Sequence, residues 1–241
     1  SVQPGTASWT HDPDGVPVAF LAEGETLTWT HTFIVTDEHG ASASDAVTFT
    51  VSGSNDAPTL QATSTATVTE GGTLTSNGTL TISDVDVTDT LTVSVTSVTV
   101  SALDEDGVTN ATYLAMLGLP SGAVDSSTST SADVNWTFDP GGIDFGWLTT
   151  GETLTLTYEV VGQDDAPTPA SSNTATVVLT IEGNDDAPTF SGDATGTVTE
   201  RGGTDNATPG TLQATGTLSV TDADANQSAF TPIASATTST E

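Results

Sequence analysis

The chain has 241 residues, of which 32 are Asp or Glu and only one is Lys or Arg, a formal net charge of −31, yet its apolar fraction of 34% sets it apart from a disordered acidic tail. Nucleic acid and anionic membranes are poor partners for such a charge. The absence of cysteine removes disulfides and thiolate metal sites, the absence of lysine removes lysine–asparagine isopeptide cross-links, and the one long apolar run, VPVAFLA, is too short for a bilayer span and is broken by Pro17.

No initiator Met or signal-peptide pattern opens the chain, so it reads as a piece of something longer. Residues 9–37 (WTHDPDGVPVAFLAEGETLTWTHTFIVTD) contain a first strand, TLTWTHTFIV, and AVTFTVSG follows as a second. Both alternate apolar residues with Thr or Ser at the period of two that a half-buried strand requires. The acidic, proline-closed connector SGSNDAPTLQ comes next at residues 52–61, then TATVTEGG, GTLTISDVD and the strand TLTVSVTSVTV. Residues 101–133 form an irregular insertion whose ATYLAMLGLP is a short helix or apolar loop, read as a local cap on the fold.

From residue 136 the pattern returns. WTFDPGGIDFGWLTTGETLTLTYEVVGQD at residues 136–164 aligns without a gap to residues 9–37. The strand TATVVLTIEG leads to a second connector, EGNDDAPTFS at residues 182–191, then TGTVTERG and GTLSVTDAD. One full unit therefore spans residues 57–186. Residues 1–56 carry only the second half of a unit and residues 187–241 only the first half of the next. Turn signals at sandwich-like spacing, with no convincing helical stripe, predict an all-β protein of tandem β-sandwich repeats. A half-sandwich leaves an apolar face wet and strand edges open, so the two flanking halves are expected to complete one another between neighbouring copies, in tandem or by strand exchange.

The acids recur in groups: Glu70 and Glu200 in VTE, Asp84 with Asp86 and Asp222 with Asp224 in DxD, Glu25 and Glu152 in GETLT, and Asn55, Asp56, Asp185 and Asp186 in the connectors. Any one DxD or NDAP alone is equally an ordinary turn. Their repetition in one order points to a metal, and ligands that are all oxygen suit a hard cation taking six to eight donors, for which calcium is the natural candidate. In a DxD at a strand end both carboxylates share one direction. Neither an EF-hand loop nor the glycine-rich nonapeptide repeat is present, so a domain junction is the expected location.

NDAP closing one unit, TVTE opening the next, then GTLTISDVDVTDT and LTTGETLTLTYEV resemble the VCBS repeats of giant RTX-type bacterial adhesins and, more distantly, cadherin repeats. The resemblance spans nearly the whole chain apart from residues 101–133. It implies tandem immunoglobulin-like domains exported to the cell surface, with calcium (Ca2+) at the junctions. By position it assigns Glu25, Asn55, Asp56, Glu70, Asp84 and Asp86 to one junction and Glu152, Asp185, Asp186, Glu200, Asp222 and Asp224 to the other, with Asp37 and Asp164 at equivalent strand ends nearby.

The expected role is a calcium-rigidified extracellular segment of an adhesin or filament, with no catalytic function. The alternative is a calcium-dependent polysaccharide-binding protein, for which Trp29, Trp147 and Tyr158 are candidate stacking platforms, whereas Trp9 and Trp136 occupy matched positions expected in the core. Against an enzyme, His11, His31 and His39 all fall in the first 40 residues without counterparts in the second unit, no triad pattern accompanies them, and the paired carboxylates repeat instead of converging on one cleft. Five Asn-x-Ser/Thr sequons, at Asn77, Asn110, Asn135, Asn206 and Asn226, are of the frequency a Thr-rich chain produces by chance.

Overall fold

The computed structural model describes residues 5–6, 8–10, 15, 17–101, 107–124, 130–224 and 226–231, with the side chain of Asn206 also outside the described set. His11 falls outside it. The strands are β1 (Thr26–Thr36), β2 (Ser42–Ser52), β3 (Thr59–Leu60), β4 (Thr63–Thr69), β5 (Ser76–Ser83) and β6 (Thr92–Val100). After the short helix α1 (Asn110–Ala115) come β7 (Leu117–Gly118), β8 (Ser131–Phe138), β9 (Thr153–Gln163), β10 (Ala175–Glu182), β11 (Thr189–Gly192) and β12 (Leu218–Thr221). The architecture is all-β.

Eight of these strands form a sandwich. One sheet has the order β3-β5-β8-β7, the other β4-β10-β9-β6. Neighbours run antiparallel except β4, which lies parallel to β10 from Thr63↔Thr176 to Thr69↔Glu182. The opening strand thus begins in one sheet at β3 and crosses to the other at β4. This is the immunoglobulin-type arrangement, in which the A, B, E and D strands face C, F and G.

The alternation of apolar residues with Thr and Ser is realised as burial. Along β9 the side chains of Leu154, Leu156, Tyr158 and Val160 are buried, and along β10 those of Val177, Leu179 and Ile181. They meet Leu80 and Ile82 of β5 and Val134, Trp136 and Phe138 of β8 across the core. Full burial of such a side chain stabilises by about 1.5–3 kcal/mol. Trp136 fits because Gly78 opposes it: a Cβ on Gly78 would lie 2.4 Å from Trp136 Cζ2. The indole N–H donates to Ser64 Oγ at 3.1 Å, tying the two sheets together.

Within the insertion, α1 is N-capped by Thr109 and places Tyr113 in the core, with Met116 and Leu117 buried beside it. The Tyr158 hydroxyl donates to the Tyr113 carbonyl at 2.9 Å, and burial raises its pKa further above the ordinary phenol range. The insertion is a cap.

On either side of the sandwich lie two-stranded sheets, β1-β2 and β11-β12. By the alignment β1 and β2 correspond to β9 and β10, while β11 and β12 correspond to β3 and the end of β5. Trp9, at the place of buried Trp136, is 54% exposed and packs edge-on against Phe49 at 5.0 Å.

Candidate cation sites at the domain junctions

Each connector is anchored by its glycine. A Cβ on Gly53 would strike the Leu21 and Ala22 carbonyls, and one on Gly183 the Leu148 and Thr149 carbonyls, so only glycine permits the close approach. The Gly53 and Gly183 amides donate to the Glu25 and Glu152 carbonyls, both at 2.9 Å. Those two glutamates close matching turns through the Ala22 amide (3.1 Å) and the Thr149 amide (3.0 Å). The GE segment and the connector are therefore one local unit at both places.

At the first junction the chain runs from Asn55 and Asp56 into the sandwich. The Asp56 amide donates to Asp86 Oδ2 at 2.7 Å, and the Asp86 amide donates to Asp84 Oδ1 at 3.1 Å. Asn55 Nδ2 donates to Asp164 Oδ2 (3.1 Å) and to the Thr168 carbonyl (3.0 Å). Thr168 in turn donates its amide and hydroxyl to Glu23. Asp84, Asp86, Asp89 and Asp164 are all buried, and carboxylate oxygens of Asp84, Asp89 and Asp164 lie within 4.8 Å of one another.

Burial is the main reason the carboxyls here hold their protons more tightly than usual. It raises Asp84, against the Asp86 amide and with the charges of Asp86 and Asp164. It raises Asp86, against the Asp56 amide and with the charges of Asp56, Asp164 and Glu25. Asp89 is pushed up to about 6 by burial, then by Asp86, Asp164, Asp84 and Asp165. Asp84 Oδ2, Asp86 Oδ1 and Asn55 Oδ1 are buried with no donor. Leaving such oxygens unpaired costs more than a hydrogen bond contributes.

The second junction repeats the plan with different members. The Asp186 amide donates to Asp224 Oδ2 at 2.9 Å, the Asp224 amide to Asp222 Oδ1 at 3.1 Å, and Asp224 Oδ1 is buried with no donor. Glu70 stands here. It accepts the Asn184 amide at 3.2 Å, and its carboxyl is raised by burial, then by Asp186, Asp224 and Asp144. Asp144 Oδ1 and Asp186 Oδ2 both approach the space above Gly146.

The positional grouping changes for five residues. Glu70 belongs with Asp186 and Asp224 at the second junction and not with Asp84 and Asp86, because β4 carries it to the opposite end of the sandwich from the DxD. Asp164 joins the first junction, since β9 returns to the end where that DxD lies. Asp37 caps its own turn, accepting the His39 and Ala41 amides at 2.9 Å each, and is exposed. Glu200 is exposed on the C-terminal piece, and Asp185 is exposed beside Asp186. Two participants escape the repeat comparison, Asp89 and Asp144, because their counterparts are Gln227 and Pro17. Tyr158, offered as a sugar platform, is fully buried, and Trp147 packs against the core; Trp29 stacks on Phe49.

Neither a family model nor a curated protein matches the chain. Among solved structures it is similar to the ASH/PapD-like domain 7 of human CEP192, at 19% identity and a TM-score of 0.35, over 52% of this chain and 84% of that one. It is also similar to the sialic-acid-binding region of the Streptococcus sanguinis SK1 adhesin bound to 3'sLn, at 13% identity and a TM-score of 0.35, over 63% of this chain and 37% of that one.

Proposed function

We propose that the protein is a calcium-bridged segment of a tandem β-sandwich rod of the VCBS or cadherin-like kind, working outside the cell in an adhesin or filament. The observation that carries the reading is the pair of buried, donorless oxygens, Asp86 Oδ1 at one junction and Asp224 Oδ1 at the other, each in a carboxylate already fixed by a connector amide. The whole chain holds one Lys or Arg, Arg201, against 32 carboxylates. A bound metal would supply positive charge at both places. Oxygen-only donors favour calcium, and modules of this ligand type work at extracellular calcium levels.

A cation shared by the connector and by the domains on either side removes the hinge that a short connector would otherwise be. Calcium titrated into chelator-treated protein should bind at both junctions, with magnesium a weak competitor, and X-ray scattering should report a longer, stiffer particle with calcium than with chelator. Unchanged heat and scattering on adding calcium would overturn the reading.

A further inference from the structure

The tetrapeptide DAPT stands in both connectors, at residues 56–59 and 186–189, and once more at residues 165–168, in the loop between β9 and β10. That third copy lies beside the first connector. Asp164 closes the loop on itself: its Oδ1 accepts the Ala170 amide at 2.8 Å, and its own amide donates to the Ala170 carbonyl at 3.3 Å. Asp165 Oδ1 accepts the Thr90 amide at 2.6 Å and Ala166 is buried, so the start of the loop is fastened to the body of the sandwich. Thr168 then stands between Pro167 and Pro169. The proline that follows holds Thr168 extended, and because neither proline has an N–H, Thr168 carries the only amide donor of residues 167–169.

Every polar group of Thr168 is directed at the chain that precedes the sandwich. Its amide donates to Glu23 Oε2 at 2.9 Å, its hydroxyl donates to Glu23 Oε1 at 3.1 Å, and its carbonyl accepts Asn55 Nδ2 at 3.0 Å. Asn55 Nδ2 also donates to Asp164 Oδ2 at 3.1 Å. A carbonyl and a carboxylate can only accept, so the pair fixes the Asn55 amide with its nitrogen toward the loop. Both oxygens of Glu23 are held by one residue, a two-point contact that sets orientation as well as distance. Glu23 is itself tied to the connector. It lies between Ala22, whose carbonyl crowds Gly53, and Glu25, whose carbonyl accepts the Gly53 amide.

We propose that the β9–β10 loop is a clasp that grips the preceding domain and keeps the first junction aligned with no metal bound, its partner being a domain that carries Glu at the place of Glu23 and Asn at the place of Asn55. The second junction carries other residues there. Thr150 and Asp185 stand at the aligned positions, so the carboxylate acceptor is gone and the amide donor has become an acceptor. The sandwich thus holds the domain before it through a pair of side chains that it does not itself offer to the domain after it. The clasp uses no cation and is independent of the calcium reading; a cation at the same junction would reinforce an alignment already present.

Because the chain has no cysteine, Thr50→Cys on β2 and Thr81→Cys on β5, both exposed, give one spin-label pair across the first junction of the full chain, read by pulsed dipolar spectroscopy in chelator. A narrow distance distribution is expected. Glu23→Thr, which installs the residue type of the second junction, should raise the population outside the main distance about three- to tenfold, the range for losing a charge-assisted contact at an exposed site. Thr168→Val removes the hydroxyl alone and should widen the distribution less. Added to Glu23→Thr it should change nothing, because its partner is already gone. A distribution that is broad before any substitution, or that ignores Glu23→Thr, overturns the clasp, and so does a Thr168→Val effect that persists in full without Glu23. Calorimetry with calcium is the separate arm. If the clasp behaves as expected and no calcium binds, the clasp stands and the calcium reading falls; calcium binding together with a broad distribution in chelator, indifferent to Glu23→Thr, gives the reverse.

Discussion

Asp56 and Asp86 are held together by a 2.7 Å bond from the connector amide to one carboxylate oxygen, while the second oxygen of Asp86 is buried without a donor. The bond orients the aspartate and leaves its free oxygen for a cation. Asp186 and Asp224 repeat the relationship at 2.9 Å, so the connector is pinned to the domain that follows it at both places. On the calcium reading, a bound cation would add the link backward, to Glu25 at one junction and Glu70 at the other.

Asp86→Ala removes a carboxylate at the centre of the first junction. Calcium stoichiometry by titration calorimetry should fall by the first junction's share, and the second should be unchanged, since distant sites without shared partners act independently. In calcium the melting temperature should drop by several degrees. In chelator it should move little, because the lost hydrogen bond, about 1 kcal/mol, is offset by removal of a buried charge.

Glu70→Gln separates the observed geometry from a position-by-position transfer. Glu70 accepts the Asn184 amide and feels Asp186, Asp224 and Asp144. Its variant should weaken calcium at the second junction alone. Combined with Asp86→Ala it should impair binding at both junctions; a loss confined to the first junction in Glu70→Gln would contradict the geometry.

The legible part of the fold was its periodicity. Strands such as TLTVSVTSVTV and TATVVLTIEG appear where alternation places them, as β6 and β10, because a two-residue period has one way to bury its apolar face. The acid groups were legible as groups. Which end of the sandwich each occupies was not, because that depends on the crossing of the opening strand from β3 to β4 and on the direction of β9, and neither leaves a local mark. Repetition also acted as a filter against residues unique to one unit. It hid Asp89 and Asp144, whose counterparts Gln227 and Pro17 carry no acid. Exposure of Trp9 was hidden for the opposite reason: its match to Trp136 implies a core that its own piece does not enclose.

Acid should stabilise the metal-free protein. Burial pushes the folded pKa of Asp89 up to about 6 from an ordinary 3.8, and Asp84, Asp86 and Glu70 shift in the same direction. Between those limits the folded state binds more protons than the unfolded state, so stability falls as pH rises through the folded value and is recovered as pH falls toward the unfolded one. In chelator the melting temperature should be higher at pH 5 than at pH 7.5. Calcium prefers the ionised form, so the trend should flatten or reverse when it is present. Scanning calorimetry at the two pH values, with and without calcium, tests the sign.

The last prediction concerns Gly162 and Ile82. A valine at 162 has no room beside Ile82 Cδ1, so Gly162→Val alone should destabilise the sandwich by about 1–3 kcal/mol through overpacking. Ile82→Val alone removes one buried methylene equivalent and should cost about 0.5–1.5 kcal/mol. Together they give the central domain the residue types that stand at the aligned positions 35 and 220 of the flanking pieces. The atom that clashed is then gone and the space it left is partly filled, so the double variant should be more stable than the sum of the single costs by about 1 kcal/mol or more, the size of coupling expected for residues in contact. Urea unfolding of the four proteins in chelator measures this cycle without contribution from the metal. Additive costs would mean that the two positions do not share space.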